Sequence, residues 1–121
     1  MPEAETEIPV LVAVSVDPET SHRANEAVRI ALGILAGENA VTIVLLGAGA
    51  KVLDADVEDY VDGEDLIRHL GTLKKLGQVF HVERSAMRPD GGWNPLGLEL
   101  LPIDRTELAG LLAGSRRALL F

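Results

Sequence analysis

Six residues carry most of the chemistry that this 121-residue chain offers: His22, Arg23, Arg84, Ser85, Arg88 and Trp93. His22 and Arg23 follow Thr20 and Ser21 where a strand gives way to a helix, beside free N–H groups of the kind that attract anions. Arg84, Ser85 and Arg88 follow a later strand. Two guanidiniums there suit a carboxylate, a phosphate or a sulfur oxyanion, and Trp93 adds an aromatic face. Two readings stay open. In one, the six line a small-anion site. In the other, Ser21 is only a helix cap, His22 and Arg23 are solvated, the arginines pair with the abundant acids, and Trp93 packs on a neighbouring subunit.

More demanding chemistry finds no support. A Ser85 nucleophile with His22 or His81 as base needs a third group to orient the imidazole, and no G-x-S-x-G elbow is present. His22, His69 and His81 lack metal-ligand spacing. Asp54, Asp56, Glu58 and Asp59 lack the glycine and the terminal Glu of a calcium loop, so they read as a solvated acidic face. Gly47-Ala48-Gly49 lacks the third glycine of a dinucleotide fingerprint and reads as a turn. Neither a metal nor a cofactor is expected.

The elements that must position these residues follow from periodicity. Residues 10–16 form an apolar, β-branched run suited to a strand buried on both faces. Ser21 is the favoured cap of a helix over 22–36, whose stripe is Ala24, Ala27, Val28, Ala31 and Leu35. A second apolar strand spans 41–46. Strand, helix and strand make a βαβ unit with parallel strands and a right-handed crossover. A glycine turn leads into a short helix at 47–53, and an acidic loop over 54–62, interrupted by Val57, Tyr60 and Val61, is held by one or two anchoring side chains. Asp62 caps a helix over 63–76 that buries Leu66, Ile67, Leu70 and Leu73. A third strand covers 78–82, and residues 83–97 have no period. After a short strand at 98–101, Asp104 and Glu107 form a capping box for a helix that turns Leu108, Leu111 and Leu112 inward and ends at Gly114. A last strand covers 118–121. The expectation is a single α/β domain over 8–121, preceded by a mobile acidic tail at 1–7. Its three α/β/α layers hold a mostly parallel sheet of about five strands in a flavodoxin-like arrangement. In such sheets ligands bind beyond the carboxyl ends of the strands, at the loops 17–23, 47–51 and 83–93.

Composition narrows the partners. Hydrophobic residues make up 47% and aromatics only 3%, so aliphatic side chains must fill the core. With a net charge of −8 and no long basic run, nucleic acid is excluded as a partner. No apolar segment is long enough for a membrane span. The N-terminal residues lack a secretory signal, which places the protein in the cytoplasm. There is no cysteine, hence no disulfide, thiol nucleophile or persulfide.

Strand 10–16, the loop Asp17-Pro18-Glu19-Thr20, the segment 22–31, the strand 41–45, Val61-Asp62-Gly63 and the helix to Leu76-Gly77 together resemble the DsrE/DsrF-like family of small sulfur-relay proteins. That resemblance implies a five-stranded sheet flanked by helices and assembly into trimers, hexamers or related oligomers. For many members it also implies a persulfide-carrying cysteine in the loop after the third strand. This chain has Ser85 near that position, and a hydroxyl cannot carry sulfane sulfur. The expectation is therefore a homo-oligomeric binding or assembly module without thiol chemistry, with the apolar stretch 93–101 as a surface awkward for a monomer. The rival expectation is an anion-binding protein or weak enzyme with its site at the strand ends.

Overall fold

A computed structural model describes residues 8–88 and 92–121. The expected tail at 1–7 lies outside the described residues, as do residues 89–91 of the third loop. The chain runs through β1 (Ile8–Val14), α1 (Arg23–Ala36), β2 (Val41–Leu45), 3₁₀ turns at Gly47–Leu53 and Val57–Asp59, and α2 (Gly63–Lys75). It continues through β3 (Val79–Glu83), a 3₁₀ turn at Arg84–Ala86, β4 (Glu99–Ile103), α3 (Arg105–Ala113) and β5 (Ser115–Leu120). The described strands form one parallel sheet in the order β4-β3-β2-β1-β5.

This order explains the layers. From β1 to β3 the chain steps in one direction, and right-handed crossovers place α1 and α2 together on one face. The step from β4 to β5 returns across the sheet, so the same handedness puts α3 on the other face. Side chains alternate accordingly. Val12, Val14, Ile43, Leu45, Phe80 and Val82 are buried in the large core with α1 and α2. Leu11, Ala13, Val44 and Ile103 form a smaller core, on which Leu108 and Leu111 of α3 pack.

Several local expectations need correction. The residue at the N-cap position of α1 is His22, which makes no side-chain cap, but Ser21 Oγ does accept the Arg23 N–H at 3.1 Å. Asp62 does not cap α2 through its side chain. It takes the left-handed conformation (φ 55°), because Gly63 must pass against the Val57 and Glu58 carbonyls, where an added Cβ would stand 2.2 Å from Val57 O. The 54–62 loop does have two anchoring side chains, the buried Val57 and the partly buried Tyr60, while Val61 is exposed and donates its N–H to Pro18 O at 3.1 Å. The capping box of α3 forms as expected, yet Leu112 faces outward rather than inward.

Candidate functional site

The loops after β1, β2 and β3 converge on Lys51. Gly47 begins the 3₁₀ turn with φ +48° and donates its N–H to Glu83 Oε1 at 2.8 Å, tying the ends of β2 and β3 together. Gly49 lies so close to β1 that a Cβ would stand 1.9 Å from Val14 O. Only glycine permits that approach. The turn so placed aims Lys51 at the first loop, where Nζ meets Glu19 Oε2 at 2.6 Å and Asp17 Oδ2 at 3.0 Å. Asp17 also accepts the Glu19 N–H at 2.9 Å. That backbone bond, seconded by Lys51, holds the Asp17 carboxyl below its ordinary pKa. Lys51 is raised in turn, through its hydrogen bonds to Glu19 and Asp17, and stays protonated.

A second node forms at Asp54, which is 8% exposed. Its Oδ1 accepts from Arg88 Nη1 at 2.9 Å and its Oδ2 from the Tyr60 hydroxyl at 2.7 Å. Burial, followed by the Asp54 hydrogen bond, pushes the Tyr60 phenol up to about 12. The third loop returns along this segment. Ala55 N–H donates to Gly92 O at 2.9 Å, Asn94 N–H to Leu53 O at 2.7 Å, and Trp93 Nε1 to Ala50 O at 3.2 Å. Asp54 was expected on a solvated acidic face. Instead it is the buried carboxylate that joins Tyr60 to Arg88.

Ser85, Arg88 and Trp93 thus come together with Lys51, whereas Arg84, His22 and Arg23 stand apart. One cleft of about 360 Å³ is lined by Lys51, Ser85 and Arg88 with Gly47, Ala48, Ala50 and Ala86. A neighbouring cleft of about 360 Å³ adds Glu19, Asp54, Asp56, Tyr60 and Trp93 around the same two cations. Trp93 is half-buried on the core of its own chain. Arg84 faces a groove with Asp104 and Arg105. Arg23 lies over the Phe121 ring, 5.4 Å from its centroid, beside the Ser15 hydrogen bonds to Phe121 O. Arg23 and Phe121 thus meet at the point where the strand order reverses, between β1 and β5.

The histidines do not assemble a catalytic group with Ser85 among the described residues. His81 lies on the α3 face of β3, with Nδ1 buried and without a hydrogen-bond partner. His69 Nδ1 meets Asn25 Oδ1 at 3.0 Å, joining α2 to α1. An amide oxygen only accepts, so Nδ1 carries the proton. Burial holds this imidazole below its ordinary pKa.

The arrangement makes a strand-end cleft whose two cations are already paired with carboxylates. Lys51, Asp17, Glu19, Asp54 and Tyr60 were not among the six residues read as the candidate site. The signal available for Lys51 was its place after the second strand of a parallel sheet. For Asp54 there was none, since its burial depends on residues about 35 positions away.

Five parallel strands, helices on both faces and a cleft at the strand ends define a small three-layer α/β domain. The DsrE/DsrF-like family model matches residues 9–121, and the chain belongs to that family. Among solved structures, the ychN protein from E. coli has this fold, with a TM-score of 0.74 over 94% of this chain and 99% of its own at 13% sequence identity. No curated protein matches the sequence at a significant level.

Proposed function

We propose that the chain is a cytoplasmic, homo-oligomeric DsrE-family binding or assembly module that works without thiol chemistry, tied to sulfur metabolism through its family. The observation that carries this reading is the residue set at the cleft: Ser85 lines it, and the whole chain contains no cysteine. A serine hydroxyl cannot accept and pass on sulfane sulfur as a thiolate does. Its two cations, held by Asp17, Glu19 and Asp54, are spent on the fold rather than left free for a substrate. Sedimentation of the purified protein tests the assembly. A mass that is a multiple of 12.9 kDa supports the reading, and a monomer at every concentration removes it.

The second reading places a small anion between Lys51, Ser85 and Arg88. It is favoured by the shared cleft and weakened by the ion pairs already formed there. A ligand at a hundred times its dissociation constant stabilises by about 2.7 kcal/mol. Thermal unfolding with phosphate, sulfate, thiosulfate and nucleotides checks this, and an unchanged midpoint in all of them rules the reading out.

A further inference from the structure

Around the two strand-end clefts, four carboxylates share two cations. Lys51 serves both Asp17 and Glu19, and Arg88 serves Asp54. Asp56 is the fourth. It is exposed, makes no side-chain cap for the 3₁₀ turn it precedes, and pairs with no cation among the described residues. Burial first, then the Asp54 hydrogen bond and the charges of Asp54, Glu19 and Asp56, oppose ionisation of the Tyr60 phenol. The three carboxylates therefore converge on that side chain.

Donors are left over as well. A guanidinium carries five N–H groups, and among the described residues Arg88 gives only Nη1, to Asp54, while its side chain is 52% exposed. Ser85 is exposed and lines the same cleft. The cleft of Lys51, Ser85 and Arg88 adjoins the cleft of Glu19, Asp56, Tyr60 and Trp93, because both cations line both. Hydrogen-bond donors thus lie at one end, and carboxylates with an aromatic side chain at the other.

We infer that these adjoining clefts take a small zwitterion, its acid group on Arg88 and Ser85 and its primary ammonium on Asp56 and Glu19 beside Trp93. Charge balance selects this class. A simple anion adds a negative charge where carboxylates already outnumber cations, and must draw Lys51 or Arg88 away from its partner. A simple cation satisfies Asp56 but leaves the Arg88 donors and Ser85 unused. A zwitterion adds no net charge, gains charge-assisted hydrogen bonds at both ends, and brings its ammonium to an indole, whose face attracts cations. Each cleft, at about 360 Å³, is large enough for such a molecule. The acid end is shared with the second reading above and the ammonium end is new, so the two can fail separately.

The test is thermal unfolding of the full chain with matched probes: the zwitterions β-alanine and taurine, their counterparts without the ammonium, propionate and ethanesulfonate, and ethylamine. Sucrose at the same concentration controls for osmolyte effects. At least one zwitterion should raise the midpoint by about 3 °C or more beyond sucrose, and its matched anion and ethylamine should not. In Asp56→Asn, which changes an exposed side chain, zwitterion binding should weaken by about threefold or more, whereas binding of a bare anion would strengthen. An equal shift from the matched anion, or a zwitterion shift that survives Asp56→Asn, overturns the inference and leaves the anion reading standing. An equal shift from ethylamine overturns it in favour of a cation site. No shift with any zwitterion or anion removes both.

Discussion

Tyr60 reports on the Asp54 node, because it is the single tyrosine in the chain. Its phenolate should appear near pH 12 in an absorbance titration. The folded pKa lies above the ordinary value, so this contribution to stability is whole below about 10 and is lost as pH rises through the folded value. Replacing Asp54 with Asn removes the charge but not the burial, so the midpoint should fall only part of the way. The same change should cost about 1–3 kcal/mol in urea unfolding, because it disturbs a buried acceptor of two hydrogen bonds. An unmoved midpoint would mean that the carboxylate has no hold on the phenol.

His69 makes the opposite kind of prediction. Its folded pKa lies below 6.5, so the folded chain binds fewer protons than the unfolded one just beneath that value. The contribution is whole above 6.5 and declines as pH drops through the window. In urea unfolding between about pH 8 and pH 5, wild type should lose more stability than His69→Gln. Parallel curves would show that the Asn25 contact does not depend on the proton.

At the scale of elements, the glycines separate close approach from mere helix content. Gly49→Ala should destabilise by about 2–4 kcal/mol, since the methyl would enter the Val14 carbonyl of the central strand and the backbone must move. Gly71→Ala, in α2 with open space around it, should instead stabilise by up to about 1 kcal/mol. Denaturant midpoints of the two variants should shift in opposite directions, and equal shifts would mean that neither backbone path is as described. The elements themselves were readable from sequence where period and cap agree. The strand at 10–16, the helix of 14 residues and the Asp104–Glu107 box form within a few residues of their expected bounds. A cap failed where close packing rather than residue type decided it, as at Asp62, which takes the left-handed conformation where Gly63 passes against the Val57 and Glu58 carbonyls.

For the whole molecule, charge distribution governs how association responds to salt. Between about 10 and 150 mM the screening length shrinks from about 30 to about 8 Å. Repulsion between copies that each carry a net −8 is screened while apolar burial is not, so self-association should hold or tighten as salt rises. Dissociation on adding salt would mean that ion pairs, not apolar burial, carry the contact. The candidate site was only partly legible at this scale. Ser85, Arg88 and Trp93 do share a cleft, but Arg23 is drawn off to Phe121 and Arg84 to the α3 side, because the carboxyl ends of five strands span more width than one ligand site.

What the sequence alone determined is the local and the periodic: parallel α/β architecture from buried β-branched runs alternating with amphipathic helices, the caps, the acidic imbalance and the absence of a thiol. These follow from side-chain type and spacing within a few turns of chain. The tertiary structure decided the strand order, with β5 beside β1, and so which face α3 covers and which leucines stay outside. It also decided that Lys51 and Asp54 organise the cleft, since each takes its partners from segments up to some 35 residues away. Such pairings are selected by which loops the sheet brings together, and no local pattern encodes that choice.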